Sequence, residues 1–131
     1  MVLIADDTDI LVLLMHWIPA KQCQQRITMF RPSSDTWIDL KKVLERWPSH
    51  IVENILAIHT ASGCDTVSSF VGVGKTKLIK LITPENAAIF RVFYQCEEHL
   101  DRKELIACGL KIISLLYGRK GDHDYKKLRV W

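Results

Sequence analysis

Four apolar residues, Val2-Leu3-Ile4-Ala5, run straight into Asp6-Asp7-Thr8-Asp9, and an apolar series with helical spacing opens at Ile10. A short unbroken apolar run that ends in acids is the pattern of a buried parallel strand delivering side chains to the carboxyl edge of a sheet. A strand of that kind followed at once by a helix places the chain in the α/β class. Open α/β sheets bind ligands in the crevice at that edge. The chain therefore begins by setting negative charge where a site is expected.

The remaining pattern is read in order. The opening helix is expected from about Asp9 to Trp17, closed by Pro19. Arg26–Phe30 and Thr36–Leu40 are β-prone runs around Arg31-Pro32-Ser33-Ser34-Asp35, the signature of a hairpin. Lys41–Trp47 reads as a short helix stopped by Pro48, and Ser49 as the cap of a helix that holds an apolar stripe to about Ser62. Everything regular beyond that point reads as helix. Thr83-Pro84-Glu85 is a helix start with proline at the first position. Asp101-Arg102-Lys103-Glu104 resembles a capping box stapled by Leu100 and Leu105, and its helix, expected to be largely buried, ends at Tyr117-Gly118. The tail Arg119–Trp131 is polar and basic.

With 131 residues and 48% of them apolar, the chain suits one domain with one core. Residues 1–65 carry eight acids and six Lys/Arg, whereas 66–131 carry seven acids and twelve Lys/Arg. An acidic front and a basic back fit a cation site beside a polyanion-binding surface, and equally an ordinary solvated exterior. Cys23, Cys64, Cys96 and Cys108 form no C-x-x-C pair and no regular framework, which argues against a zinc-finger or disulfide scaffold and for a reducing intracellular compartment. No apolar run approaches 18 residues, so no membrane span or membrane partner is expected.

Three stretches could carry chemistry. In extended chain, Asp7 and Asp9 point the same way and can converge on one hard cation, Mg²⁺ or Mn²⁺; either can also simply cap the helix. In His59-Thr60-Ala61-Ser62-Gly63-Cys64-Asp65-Thr66, Asp65 reads as a third ligand or as the cap of a helix running through Phe70. Cys64 reads as a small buried hydrophobe, or as a nucleophile with His16 or His59 as base. The third stretch, Phe70-Val71-Gly72-Val73-Gly74-Lys75-Thr76, ends like a phosphate-binding P-loop, but Ser69 stands where that motif needs glycine and no strand precedes it. A nucleotide cofactor is therefore not expected. A glycine hairpin between two short helices is the better account, with Gly72 and Gly74 turning the chain and Lys75, Lys77 and Lys80 gripping a phosphate. Solvated lysines on a helical turn are the plain alternative.

In this order, Ala5-Asp6-Asp7-Thr8-Asp9, Gly63-Cys64-Asp65 and Gly72-Val73-Gly74-Lys75 resemble the PIN-like, flap-endonuclease-type nucleases over roughly residues 2–82. The wording of Thr60–Thr76, and Leu116-Tyr117-Gly118 with Leu128-Arg129, resembles more closely the PIN-like proteins of transposon-rich animal genomes. The resemblance implies a partial PIN-like, Rossmann-like α/β domain whose short sheet (1–62) leads to an acidic turn and helix–hairpin–helix element (63–82) and a helical remainder (83–131). It implies Asp7, Asp9 and Asp65 as ligands of Mg²⁺ or Mn²⁺, with Asp6 in the outer shell. Gly72, Gly74 and Lys75 would be its phosphate-binding hairpin; with Lys77 and Lys80, read from the charge pattern beside it, they are the expected contact to nucleic acid, taken to be duplex DNA backbone in the nucleus. In that family further acids and strands lie upstream of the acid-x-acid strand, so the chain is expected to be the carboxyl half of a nuclease fold with cleavage absent or impaired. The rival expectation is a transposon-derived remnant that serves only as a protein-interaction module.

Overall fold

The computed structural model describes residues 1–65, 67–91 and 101–117. The first strand, β1 (Val2–Ile4), runs into helix α1 (Thr8–Ala20) and on to β2 (Thr28–Arg31). β1 and β2 are parallel, in the register Val2 to Thr28 and Ile4 to Phe30. A 3₁₀ turn over Pro32–Ser34 then returns the chain as β3 (Thr36–Asp39), antiparallel to β2. Asp35 takes the left-handed conformation that closes this turn, with φ 48°. The sheet order is β1-β2-β3, so the strand–helix–strand unit and the hairpin stand as expected. β1 is not buried, however. It lies at the sheet edge with Val2 57% and Ile4 68% exposed, because no helix covers the face they occupy among the described residues.

Proline and asparagine set the helix boundaries that follow. α1 runs three residues past Trp17 with Pro19 inside its last turn, because Lys21 N–H still closes on Trp17 O at 2.9 Å. α2 (Leu40–Arg46) is capped by the Asp39 carboxylate, which accepts from Lys41 N–H, and ends before Pro48. The single helix expected from Ser49 is two, α3 (Ser49–Glu53) and α4 (Ile55–Ser62), divided at Asn54. Asn54 is fully buried, and its side-chain amide donates to His50 O at 2.8 Å. That carbonyl would otherwise serve the helix ladder, and the competition breaks the helix.

The basic half continues with α5 (Lys75–Leu81), α6 (Ala87–Arg91) and α7 (Arg102–Leu116). Residues 67–74 are not helical, so the hairpin lacks its first arm. Cys64 and Val67 instead exchange backbone hydrogen bonds at 3.0 and 3.2 Å, and Asp65 caps no helix. Thr83–Asn86 is a turn held by the Asn86 side chain, which accepts from Thr83 N–H and donates to Leu81 O, so the helix starts later, at Ala87. Asp101 caps α7 as expected, accepting from Lys103 N–H. Yet only Ile112 and Leu116 of that helix are buried, and Ile106 is 53% exposed. Leu100 of the expected staple, the stop at Gly118 and the tail beyond it lie outside the described residues.

Two apolar clusters hold these elements. One joins Met15, Ile27, Met29 and Leu40 between sheet, α1 and α2. The other joins Ile58, Val73, Leu78, Phe90, Ile112 and Leu116 among the later helices. α4 touches both, through Ile55 on one side and Ala57 and Ile58 on the other. The helix that carries His59 is thus packed from two sides. Among the described residues no helix is long and apolar enough to cross a membrane.

Candidate functional site

The acids at the end of β1 do different work. Asp7 is the N-cap of α1, with its carboxylate accepting from Asp9 N–H at 2.8 Å. Asp6 turns toward the hairpin and accepts from both Ser33 N–H, at 2.9 Å, and the Ser33 hydroxyl, at 2.6 Å. The hydroxyl bond, then the amide bond, hold its carboxyl below the usual carboxylate range. Its backbone carbonyl meanwhile accepts from the Arg31 guanidinium at 3.0 Å. Asp6 therefore ties β1 to the turn after β2.

Asp9 faces the other way, toward α4. Its Oδ1 lies 2.8 Å from His59 Nε2, a contact between residues fifty positions apart. The His59 side chain is 12% exposed and the Asp9 side chain 41% exposed, so the pair sits at a rim, one partner in and one half out. An ionised carboxylate only accepts, so Nε2–H is the donor and, in the neutral ring, Nδ1 is left with a bare lone pair. That nitrogen is buried and meets no hydrogen-bond partner among the described residues.

α4 ends immediately after His59. Gly63 takes φ 86° and ψ 144°, a conformation open essentially to glycine alone, and its N–H returns to Thr60 O. A Cβ there would stand 2.9 Å from Ser69 Cβ. This bend brings Cys64 back beside the helix end. Asp9, His59 and Cys64 each present one ligating atom, all within 4.8 Å of one another, and no other such trio of His, Cys, Asp or Glu occurs among the described residues.

Of the three expected ligands, then, only Asp9 belongs to the gathered set. Asp65 is exposed, one residue beyond Cys64, and Asp7 is committed to its helix. His59 and Cys64 stand five residues apart across a helix end, yet nothing in the sequence shows that the two meet or that they approach Asp9. A carboxylate, an imidazole and a thiol are not the all-oxygen shell Mg²⁺ demands, and the trio does not fit that ion. A relay with Cys64 as nucleophile is poorly served too. The base would have to meet the thiol through the nitrogen opposite Asp9, and that nitrogen makes no hydrogen bond to a described residue.

The glycine turn leads to a different surface. Gly72 takes φ 70° and Val73 plugs the core at 3% exposure. Gly74 is the N-cap of α5 without a left-handed φ. Lys75, Lys77 and Lys80 are all exposed and make no ion pair with a described acid, while Leu78 beneath them is fully buried. Lys77 and Lys80, three apart, share one helix face, and Lys75 opens the helix. At seven residues α5 is too short for a strong terminal dipole, so any attraction for an anion comes from the lysine charges.

Two cavities lie away from the trio. One of about 720 Å³ is walled by Ile18, Arg26, Asp39 and Leu44, and the other, of about 410 Å³, by Leu56, Val67, Phe70 and Ile112. Neither includes Asp9, His59 or Cys64. Compared with protein-family models, curated proteins and solved structures, the chain matches none.

Proposed function

We propose that this chain is a nucleic-acid-backbone-binding domain of PIN-like, nuclease-type descent. The observation that carries the reading is the trio of exposed lysines on α5, none ion-paired with a described acid, in a stretch from Thr66 to Ile82 that contains no acid. Phosphate attracts such a patch without regard to sequence, and the interaction weakens steeply with salt because bound cations are released. The strand–helix–strand opening and the acids at the end of β1 support the PIN-like part. Two-ion phosphodiester hydrolysis needs a pair of metal ions a few ångströms apart. The described residues gather ligands for one ion at most, so binding, not cleavage, is the activity assigned.

The test is the salt dependence of duplex DNA binding, with single-stranded DNA and RNA of equal length alongside. Replacing Lys75, Lys77 and Lys80 together by Ala should flatten the slope of log K against log salt by about 0.9 for each phosphate that is no longer neutralised. An unchanged slope would remove the reading. It would leave the rival, a remnant that contacts only other proteins, in its place.

A further inference from the structure

The nuclease resemblance leads to Mg²⁺ or Mn²⁺, yet the side chains drawn together have a different chemistry. Thiolate and imidazole favour zinc-like ions over magnesium, and a single carboxylate oxygen is tolerated by both classes. Asp9, His59 and Cys64 supply one donor of each kind within 4.8 Å of one another. They come from two separate regions, the first turn of α1 and the end of α4 with its glycine bend. The imidazole is largely buried while the carboxylate is half-open to solvent, so a fourth coordination position would face outward. Three protein ligands and one open position is the pattern of a zinc site that can take water or a further oxygen ligand.

We propose that Asp9, His59 and Cys64 form a binding site for one zinc-class divalent ion. Asp9 and His59 are now 2.8 Å apart, at hydrogen-bond distance. Donors about 2.0–2.1 Å from a shared tetrahedral ion stand about 3.3 Å from each other. The ion therefore enters by replacing that hydrogen bond and parting the two side chains by about half an ångström. Cys64 binds as thiolate and its proton leaves to solvent. His59 Nε2 gives up its proton and Nδ1 takes one, so that the neutral ring binds through Nε2. A phosphate oxygen could occupy the open position, but the site does not depend on the lysine patch, and its test uses no nucleic acid.

The experiment is titration of the whole chain with Co²⁺, under a non-chelating phosphine reductant, followed by absorption spectroscopy. One equivalent should produce intense visible bands of tetrahedral cobalt together with a near-ultraviolet thiolate-to-cobalt charge-transfer band, both bleached by Zn²⁺. Cys64→Ser should abolish the charge-transfer band, and His59→Gln or Asp9→Asn should weaken binding more than about tenfold. The triple change of Cys23, Cys96 and Cys108 to Ser should leave the spectrum intact; circular dichroism of each variant checks that it is folded. The proposal is overturned if the band follows the other cysteines. It is equally overturned if Co²⁺ gives no thiolate band while Mn²⁺ binds in an Asp9-dependent way, which would mark an oxygen site of the magnesium class. The backbone-binding reading survives either failure, since it stands on the salt slope.

Discussion

The contact between Asp9 and His59 can be tested without any metal, by a double-mutant cycle on Asp9→Ala and His59→Phe. A hydrogen bond to a charged partner contributes about 1.5–3 kcal/mol when well shielded. Here the imidazole is 12% exposed but the carboxylate 41%, and solvent on the open side reduces such a pair toward about 1 kcal/mol. Each single change carries extra effects. Asp9→Ala also removes an acid from the first turn of α1, where it favours the helix dipole by about 0.3–1 kcal/mol. His59→Phe changes packing beside Ile58. The cycle cancels both, because neither depends on the other partner. Urea unfolding of the four proteins, with equal slopes required, should give a coupling energy near 1 kcal/mol. Coupling under about 0.3 kcal/mol would mean that α1 and α4 do not hold these side chains together, and the site would go with it.

Two more outcomes follow from the same geometry. Gly63→Ala puts a side chain at φ 86° and a Cβ 2.9 Å from Ser69 Cβ, so it should destabilise by about 1–3 kcal/mol in thermal or urea unfolding and lower Co²⁺ affinity by displacing Cys64. Ser33→Ala removes the hydroxyl bond that most lowers the Asp6 carboxyl, so carboxyl-carbon NMR should show that group titrating at higher pH. A carboxyl depressed by folding adds stability above its unfolded pKa and loses it as pH falls through the folded value. Acid unfolding of Ser33→Ala should therefore begin at higher pH than in the parent, and an unmoved midpoint would show that the Asp6–Ser33 tie carries no weight.

Local features are readable from sequence, and features that depend on partners are not. The hairpin is plain because Pro32, Ser33, Ser34 and Asp35 leave the chain few alternatives between two β-prone runs. Asp101 announces its helix in the same way. The break at Asn54 is hidden, since an apolar stripe continues on both sides and only the side chain's preference for His50 O ends the helix. Val2–Ile4 reads as buried because hydrophobicity reports what a strand can bury, not whether anything covers it. The glycine hairpin is expected to carry a helix on each side, whereas the Cys64–Val67 bridge takes up the backbone that the first would need. At the site, Cys64 and Asp65 stand out by their turn and Asp9 by its strand end. That Asp9 meets His59 depends on how α1 lies along α4, which no local pattern encodes.

Because α4 is gripped by both apolar clusters, the bond from α1 crosses the seam where two halves of the molecule adjoin. A volume-conserving exchange deep in either half, at the fully buried Met29 or Leu78, would shift the packing on one side of α4 and not on the other. Such an exchange costs less than about 1.5 kcal/mol of global stability. The distance between one carboxylate and one imidazole would register it first, making that rim the place where drift inside this chain becomes visible.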